Sequence, residues 1–404
     1  MNSKRATVRD LRRRNRSAVL SALFFGSPLS RHELGQRTGL SPGTVSTVTA
    51  ELIDERLVVE AGLAESDGGR PRVLLRMDPD HHRVIGVELG ETGVTVELFD
   101  LGMASLAAMD VPLDPASSDP AEVSAVIAAA VRAVLDKAGA AESEVLGVGL
   151  GVPGTVEHAE TVRVHAPTVG WDGVPLVEEL RVAGLSLPLF VENGAKVLGQ
   201  AEMWFGAGRG ARHAVIALIG SGVGATVVTD GSTYGGAASS AGEWGHTTLI
   251  YGDRRCRCGA RGCLEAYVGA EGILDRYRRA RGGRPIPRPD EQSQLDFLLQ
   301  AAERSTVAAR ILSETTGFLG AGIANLINLF NPERIVLGGW AGLALGARLL
   351  PDIRQAAAEH ALPYAYARTT IELCQLGPDA VAVGAATLPV ADLLRQGTDS
   401  LTVH

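Results

Sequence analysis

Four cysteines in 404 residues are too few for the disulfide framework of a secreted protein, and they are unevenly placed. Cys256, Cys258 and Cys263 fall close together and Cys374 stands alone, a usage that suits a reducing cytoplasm. Aromatic residues are only 4% of the chain. No apolar run reaches the roughly eighteen residues of a membrane span, so none is expected. The basic start, Met1 to Arg16, is not followed by an apolar h-region but runs into an amphipathic helical pattern, so no secretory signal is expected. What is present, 46% hydrophobic and 21% charged residues, describes a globular protein with room for two or three domains.

Charge is divided unequally along the chain. Residues 1–76 hold 13 Lys and Arg against 8 Asp and Glu, a balance of +5, while the remainder holds 25 against 38, a balance of −13. A basic head on an acidic body suits a protein in which only the head meets a polyanion, although a solvated basic tail would give the same count.

Within the head, LSRHELGQRTGLSPGTVSTVTAELIDERLVVE reads as helix, tight turn, helix, strand. Ser30 is placed to cap a helix carrying Leu34, with Glu33 in its first turn, and Gly39 breaks it where positive φ is needed. Ser41 followed by Pro42 starts the next helix: a side-chain cap, then a ring already at helical φ. Val45, Val48, Leu52 and Ile53 recur at i, i+3, i+7 and i+8, an inward stripe. With Ser41, the small residues Thr44, Ser46 and Thr47 are left to approach a DNA major groove. Two strands around the polar tip ESDGGRPR then form a wing. There Gly68 and Gly69 let the backbone turn, and Arg70 and Arg72 flank Pro71 as a cationic finger. An earlier helix brings Arg12, Arg13, Arg14 and Arg16, a set able to neutralise backbone phosphates. Taken singly these are a helical hairpin and a solvated arginine face. Together they point to a double-stranded DNA partner.

The acidic body alternates strands with helices. VIGVELG and VTVELFD read as a hairpin turning at GETG, followed by SLAAMDVPL, a helix over 120–137 and the buried strand VLGVGLGVPG. Later come HAVIALIGSGVGATVVTDG, a long helix around 305–330 and the strand RIVLGGW. Glycine turns at so many strand ends suggest two α/β lobes around a cleft, with backbone N–H groups offered to phosphate or sugar oxygens.

The sharpest chemical signal is GEWGHTTLIYGDRRCRCGARGCLEAY. His246, Cys256, Cys258 and Cys263 are spaced H-x9-C-x-C-x4-C, with Gly259 and Gly262 free to make a sharp loop. Three thiolates and one imidazole fill a tetrahedral shell and leave no position for a reactive water, so the expected cofactor is a structural Zn2+. Redox or buried cysteines are the other reading. Such an ion would pin Glu243 and Glu265 near His246, where carboxylates can grip vicinal hydroxyls, unless these glutamates only support the loop. Cys374 reads as a buried small hydrophobe.

These motifs, with GVPG, GWDG, VEN, FGAGRG, GSGVGA, AGEWGH and CRCGARGCLEA in order over nearly the whole chain, resemble the ROK family, which unites sugar kinases with sugar-responsive transcriptional repressors and activators. The head with its GGRPR wing resembles the regulator branch. The resemblance implies an actin-like, hexokinase-like α/β fold in two lobes behind a winged helix-turn-helix. The expected division is a DNA-binding domain over 1–76, a hinge over 77–82, lobe 1 over 83–200, lobe 2 with the zinc loop over 201–376, and a C-terminal helix over 377–404 returning to lobe 1. It also implies sugar contacts at Asn193, Glu243, His246, Glu265 and Gly154, with His246 serving both metal and sugar, and a homodimer or homotetramer.

Two departures from the family pattern bear on activity. Its kinases carry Asp after Glu-Asn, where the carboxylate takes a proton from the attacking sugar hydroxyl, whereas this chain has Gly194. Loss of a general base costs about 10²–10⁴ in rate. The family's phosphate-binding Asp-x-Gly-Gly-Thr stands here as ELGET, with Glu91 in place of a glycine that should lie against phosphates. A sugar-sensing regulator without kinase activity is therefore expected. Its rivals are a kinase with a fused head, using Glu88, Thr92, Ser221, Gly222 and Gly338 for nucleotide, and a regulator controlled by a protein partner. Trp244 either shapes the pocket or packs in the core.

Overall fold

A computed structural model describes residues 7–64, 71–113 and 119–397. The head contains α1 (Val8–Gly26), β1 (Leu29–Ser30), α2 (Arg31–Thr38), α3 (Pro42–Asp54), β2 (Val58–Ala64) and β3 (Arg72–Met77), with its strands in the order β1-β3-β2. Local chemistry sets its boundaries. Ser30 and Glu33 form a reciprocal capping box at the start of α2, Gly39 ends that helix at φ 70°, and Ser41 accepts from Thr44 N–H to start α3. Val45, Val48 and Leu52 face inward, and Ile53 packs at the margin of the same core.

Lobe 1 runs through β4 (Arg83–Leu89), β5 (Gly93–Asp100), β6 (Ser105–Pro112), α4 (Pro120–Ala138), β7 (Val145–Val152), β8 (Thr155–His158), β9 (Val162–Ala166), β10 (Trp171–Val174), α5 (Leu176–Val182), β11 (Leu189–Asn193) and α6 (Gly194–Phe205). Lobe 2 continues with β12 (Ala214–Ile219), β13 (Val223–Thr229), β14 (Ser232–Thr233), α7 (Glu265–Val268), α8 (Ala270–Ala280), α9 (Glu291–Ala301), α10 (Thr306–Phe330), β15 (Arg334–Gly338), α11 (Trp340–His360), α12 (Pro363–Tyr366) and β16 (Thr370–Leu373). The last helix, α13 (Ala380–Gln396), lies back on lobe 1.

The two large sheets share one plan. Their orders are β11-β7-β4-β5-β6 and β14-β13-β12-β15-β16. In each, the first strand pairs antiparallel with the second and parallel with the fourth, which pairs parallel with the fifth. The β4–β5 turn of lobe 1 therefore corresponds to the β12–β13 turn of lobe 2, and a ligand site is expected at the carboxyl ends of the parallel strands.

Close approach of α13 to the lobe 1 sheet needs two residues without side chains. A Cβ on Gly86 would lie 1.9 Å from Ala382 O, and one on Gly149 would lie 1.8 Å from Ala385 O. At its far end α13 joins the head: Val390 and Leu393 share one buried cluster with Val19, Leu23, Leu52 and Leu75. The 77–82 connection is a short turn. Asp78 N–H donates to Leu57 O at 3.0 Å on the head side, and Leu101 N–H donates to Pro79 O at 3.1 Å on the lobe side.

Candidate ligand cleft, metal centre and nucleic-acid face

The strand β11 delivers Asn193 to the start of α6. Its Oδ1 accepts from Lys196 N–H at 3.1 Å and its Nδ2 donates to Gly154 O at 2.6 Å, so one amide caps the helix and holds the GVPG turn. Gly194 follows in ordinary helical conformation. A Cβ there would meet only Val152 O at 3.6 Å and a Val381 methyl at 3.8 Å, so neither backbone nor space requires glycine. Lys196 pairs with Glu192 at 3.2 Å and reaches across to Ser239 O on lobe 2. Burial opposes charge on Glu192, but His158, Lys196 and the Asn193 N–H hold its carboxyl below the usual range.

On lobe 2 the loop after β14 carries the metal-type cluster. His246 ends a single 3-10 turn, Trp244–His246, and Cys263 precedes α7. The four side-chain ligand atoms of His246, Cys256, Cys258 and Cys263 lie within 4.8 Å of one another. A tetrahedral Zn2+ with ordinary bond lengths sets sulfurs roughly 3.8 Å apart and sulfur and nitrogen about 3.6 Å apart. The observed separations are 3.8 Å for Cys258 Sγ to Cys263 Sγ and 3.7 Å for Cys256 Sγ to His246 Nδ1. The residues fit the ion, with Nδ1 as the imidazole donor. His246 Nε2 is left 3.9 Å from the Glu243 carboxylate. Burial pushes the Cys256 and Cys263 thiols up.

The expected sugar contacts are thus assembled as two groups, Asn193 with Gly154 on lobe 1 and Glu243 with His246 on lobe 2. Glu265 is only 5% exposed; it accepts from Val223 N–H at 3.0 Å and lies 3.5 Å from Cys256 Sγ, so it ties the metal loop to the β12–β13 turn. Trp244 is a core residue, its Nε1 donating to Gly322 O at 3.2 Å. Cys374 is buried and donates to the Glu202 carboxylate.

Sequence reasoning missed Arg257, which stands between two cysteine ligands. It pairs with Glu91 of the β4–β5 turn across the cleft, with Glu271 at 3.0 Å, and with Ser221 O at 3.1 Å. A charged residue between two candidate metal ligands was the available signal. Ser221 donates to Glu291. A cavity of about 440 Å³ lies between the lobes beside this pair, lined by Glu91, Thr92, Pro153, Trp171, Arg257 and Arg278 among others, and by none of Asn193, Glu243, His246 or Glu265. Burial, reinforced by Asp379 and Asp110, raises the nearby Glu88 carboxyl to about 7.

On the head, Ser46 and Thr47 are exposed on α3, Ser41 is exposed as its N-cap, and Thr44 is partly covered. Arg72 is exposed at the start of β3; Arg70, with Gly68 and Gly69, lies outside the described residues. Arg13 and Arg14 are exposed, and Arg12 pairs with Glu51 at 3.1 Å. Arg16 departs from its expected role. It is 3% exposed, pairs with Glu51 and Glu55 at the end of α3, and donates from Nε to Gly397 O at 2.6 Å. Its position on the inner side of α1 makes it a clamp between head and α13, with no donor facing a phosphate.

Residues 84–391 match the family model described as the ROK family. A xylose repressor of Caldicellulosiruptor bescii is 29% identical over 95% of this chain and 97% of its own. A glucokinase of Halalkalibacterium halodurans is 32% identical over 75% of this chain and 94% of its own. A crystal structure of a ROK family transcriptional regulator, a homolog of the E. coli MLC protein, superposes with a TM-score of 0.78 at 27% identity, covering 96% of this chain and 97% of that one. With the family domain spanning both lobes behind a winged head, the chain belongs to the ROK family.

Proposed function

We propose that this protein is a DNA-binding transcriptional regulator whose cleft senses a sugar, braced by a structural Zn2+, and does not phosphorylate it. One observation carries the reading: a single helix, α6, begins at the cleft and ends at the head. Its N-cap is Asn193 and its first residue is the side-chain-free Gly194. Its last turn sets Trp204 and Phe205 against Phe24 and Phe25 of α1, with Trp204 ring centroids 5.5 Å and 5.0 Å from theirs. Twelve residues make a rod about 18 Å long. Sugar held by Asn193, Glu243, His246 and Glu265 beside Gly154 favours one lobe arrangement, α6 and α13, which pack against strands of both lobes, shift with it, and the heads of a dimer change spacing on their operator. Whole-length similarity to a xylose repressor supports the regulator branch.

The kinase alternative draws on the glucokinase relative. Coupled ADP release with ATP and a panel including xylose and glucose separates the two, run beside a thermal-shift titration. A sugar at 100-fold over its Kd should stabilise by about 2.7 kcal/mol. The proposal expects a shift with at least one sugar and no turnover. Turnover at an enzyme-like rate refutes the lost-base reading, and no shift with any sugar refutes sugar sensing in favour of a protein partner.

A further inference from the structure

We propose that Arg257 and Glu91 form a latch between the lobes, filling the place where a nucleotide phosphate would lie against the Gly90–Thr92 turn and holding the ligand-free cleft in one arrangement. The inference builds on the sensor reading, and its test uses ligand-free protein so that it can fail while that reading stands.

The pair joins two tips that the fold brings face to face. Glu91 sits at the β4–β5 turn of lobe 1, and Arg257 projects from the metal loop of lobe 2. Arg257 is anchored within lobe 2 by Glu271 at 3.0 Å, Ser221 O at 3.1 Å and Glu265 at 3.8 Å. Its one lobe 1 partner among the described residues is Glu91. The two side chains are 24% and 19% exposed, so water screens the pair far less than a surface pair. Breaking a sheltered pair leaves its partner's charge uncompensated, which is costly, so the contact holds the lobes together only while both members are present.

The sequence supports this pairing from both sides. Glu91 stands where the phosphate-binding pattern has glycine, and its acid would repel a phosphate. Arg257, the cation that could attract one, is neutralised by Glu91, Glu265 and Glu271. The inter-lobe cavity is lined by both members, so parting them opens it. A sugar that prefers another lobe arrangement must therefore work against, or exploit, this contact.

The test is the inter-lobe distance by pulsed electron paramagnetic resonance on full-length, zinc-loaded protein. Labels at exposed Ala129 on α4 and Ala309 on α10 would be attached through incorporated non-cysteine residues, which spares the thiols. Native protein is expected to give one narrow distribution. Glu91→Gln, Glu91→Gly and Arg257→Gln should each broaden or lengthen it at unchanged zinc content, and Arg257→Lys should retain part of it. An unchanged distribution in both Glu91 variants would overturn the latch, whether or not the Arg257 variants fold. Titration with ATP tests the filled site. Glu91→Gly, which removes the acid facing the anion and one of the three carboxylates around Arg257, should bind roughly tenfold tighter than native protein. Equal affinity would overturn that part.

Discussion

At Gly194 the backbone is helical and the neighbours of an added Cβ stand at van der Waals distance, so a side chain could begin there without strain. Packing does not compel glycine there, unlike at Gly86 and Gly149, where the approach of α13 does. Glu88 shows what burial beside the cleft does to a carboxylate. Burial, then Asp379 and Asp110, raise it to about 7. An acid whose folded pKa is raised binds extra protons when folded, so stability declines as pH climbs from about 4.3 to about 7 and levels above. Glu88→Gln removes this, and its melting temperature should fall less than that of native protein across the window. Parallel falls would show that Glu88 does not titrate there. Arg16 teaches a different lesson. Its neighbours in RRRNR gave it the look of a phosphate ligand, and only its position on the α1 face toward Glu55 and Gly397 decides otherwise. Gly397 lies 381 positions away, beyond any local pattern.

Among the elements, caps and periodicity made the head legible: Ser30, Gly39, Ser41 and the Val45–Leu52 stripe stand where local chemistry puts them. The small sheet β8–β10 was not legible, because strands of 4, 5 and 4 residues are too short to show a period. Nor was the double role of α6, which depends on aromatic residues of α1 meeting its end. Trp204→Leu keeps an apolar but smaller side chain and removes edge contacts worth about 0.5–1.5 kcal/mol each. Sugar and DNA should still bind separately, while the effect of one on the other shrinks from the 5–150-fold typical of coupled sites toward none. Full coupling in the variant would remove α6 from the path. The metal loop is tested by Cys258→Ser: zinc per chain, by elemental analysis, should fall below one and the protein should melt lower. Native protein purified without zinc yet equally stable would contradict the structural ion.

For the whole molecule, the pattern of lobes, cleft and head could be read from motif order, whereas the contacts joining them could not. Arg257 with Glu91, Lys196 with Ser239, and α13 with the head each link segments far apart in sequence, and composition carries no trace of such pairings. In the proposed mechanism these contacts let one end of the molecule bias the other. The account therefore stands or falls on a single titration: affinity for a DNA fragment selected by the protein from a random pool, measured with and without xylose and glucose, with ADP release followed in the same samples. A several-fold change in DNA affinity with one sugar and no ADP above background is the predicted result. Sugar-dependent ADP release with DNA affinity unmoved would contradict it.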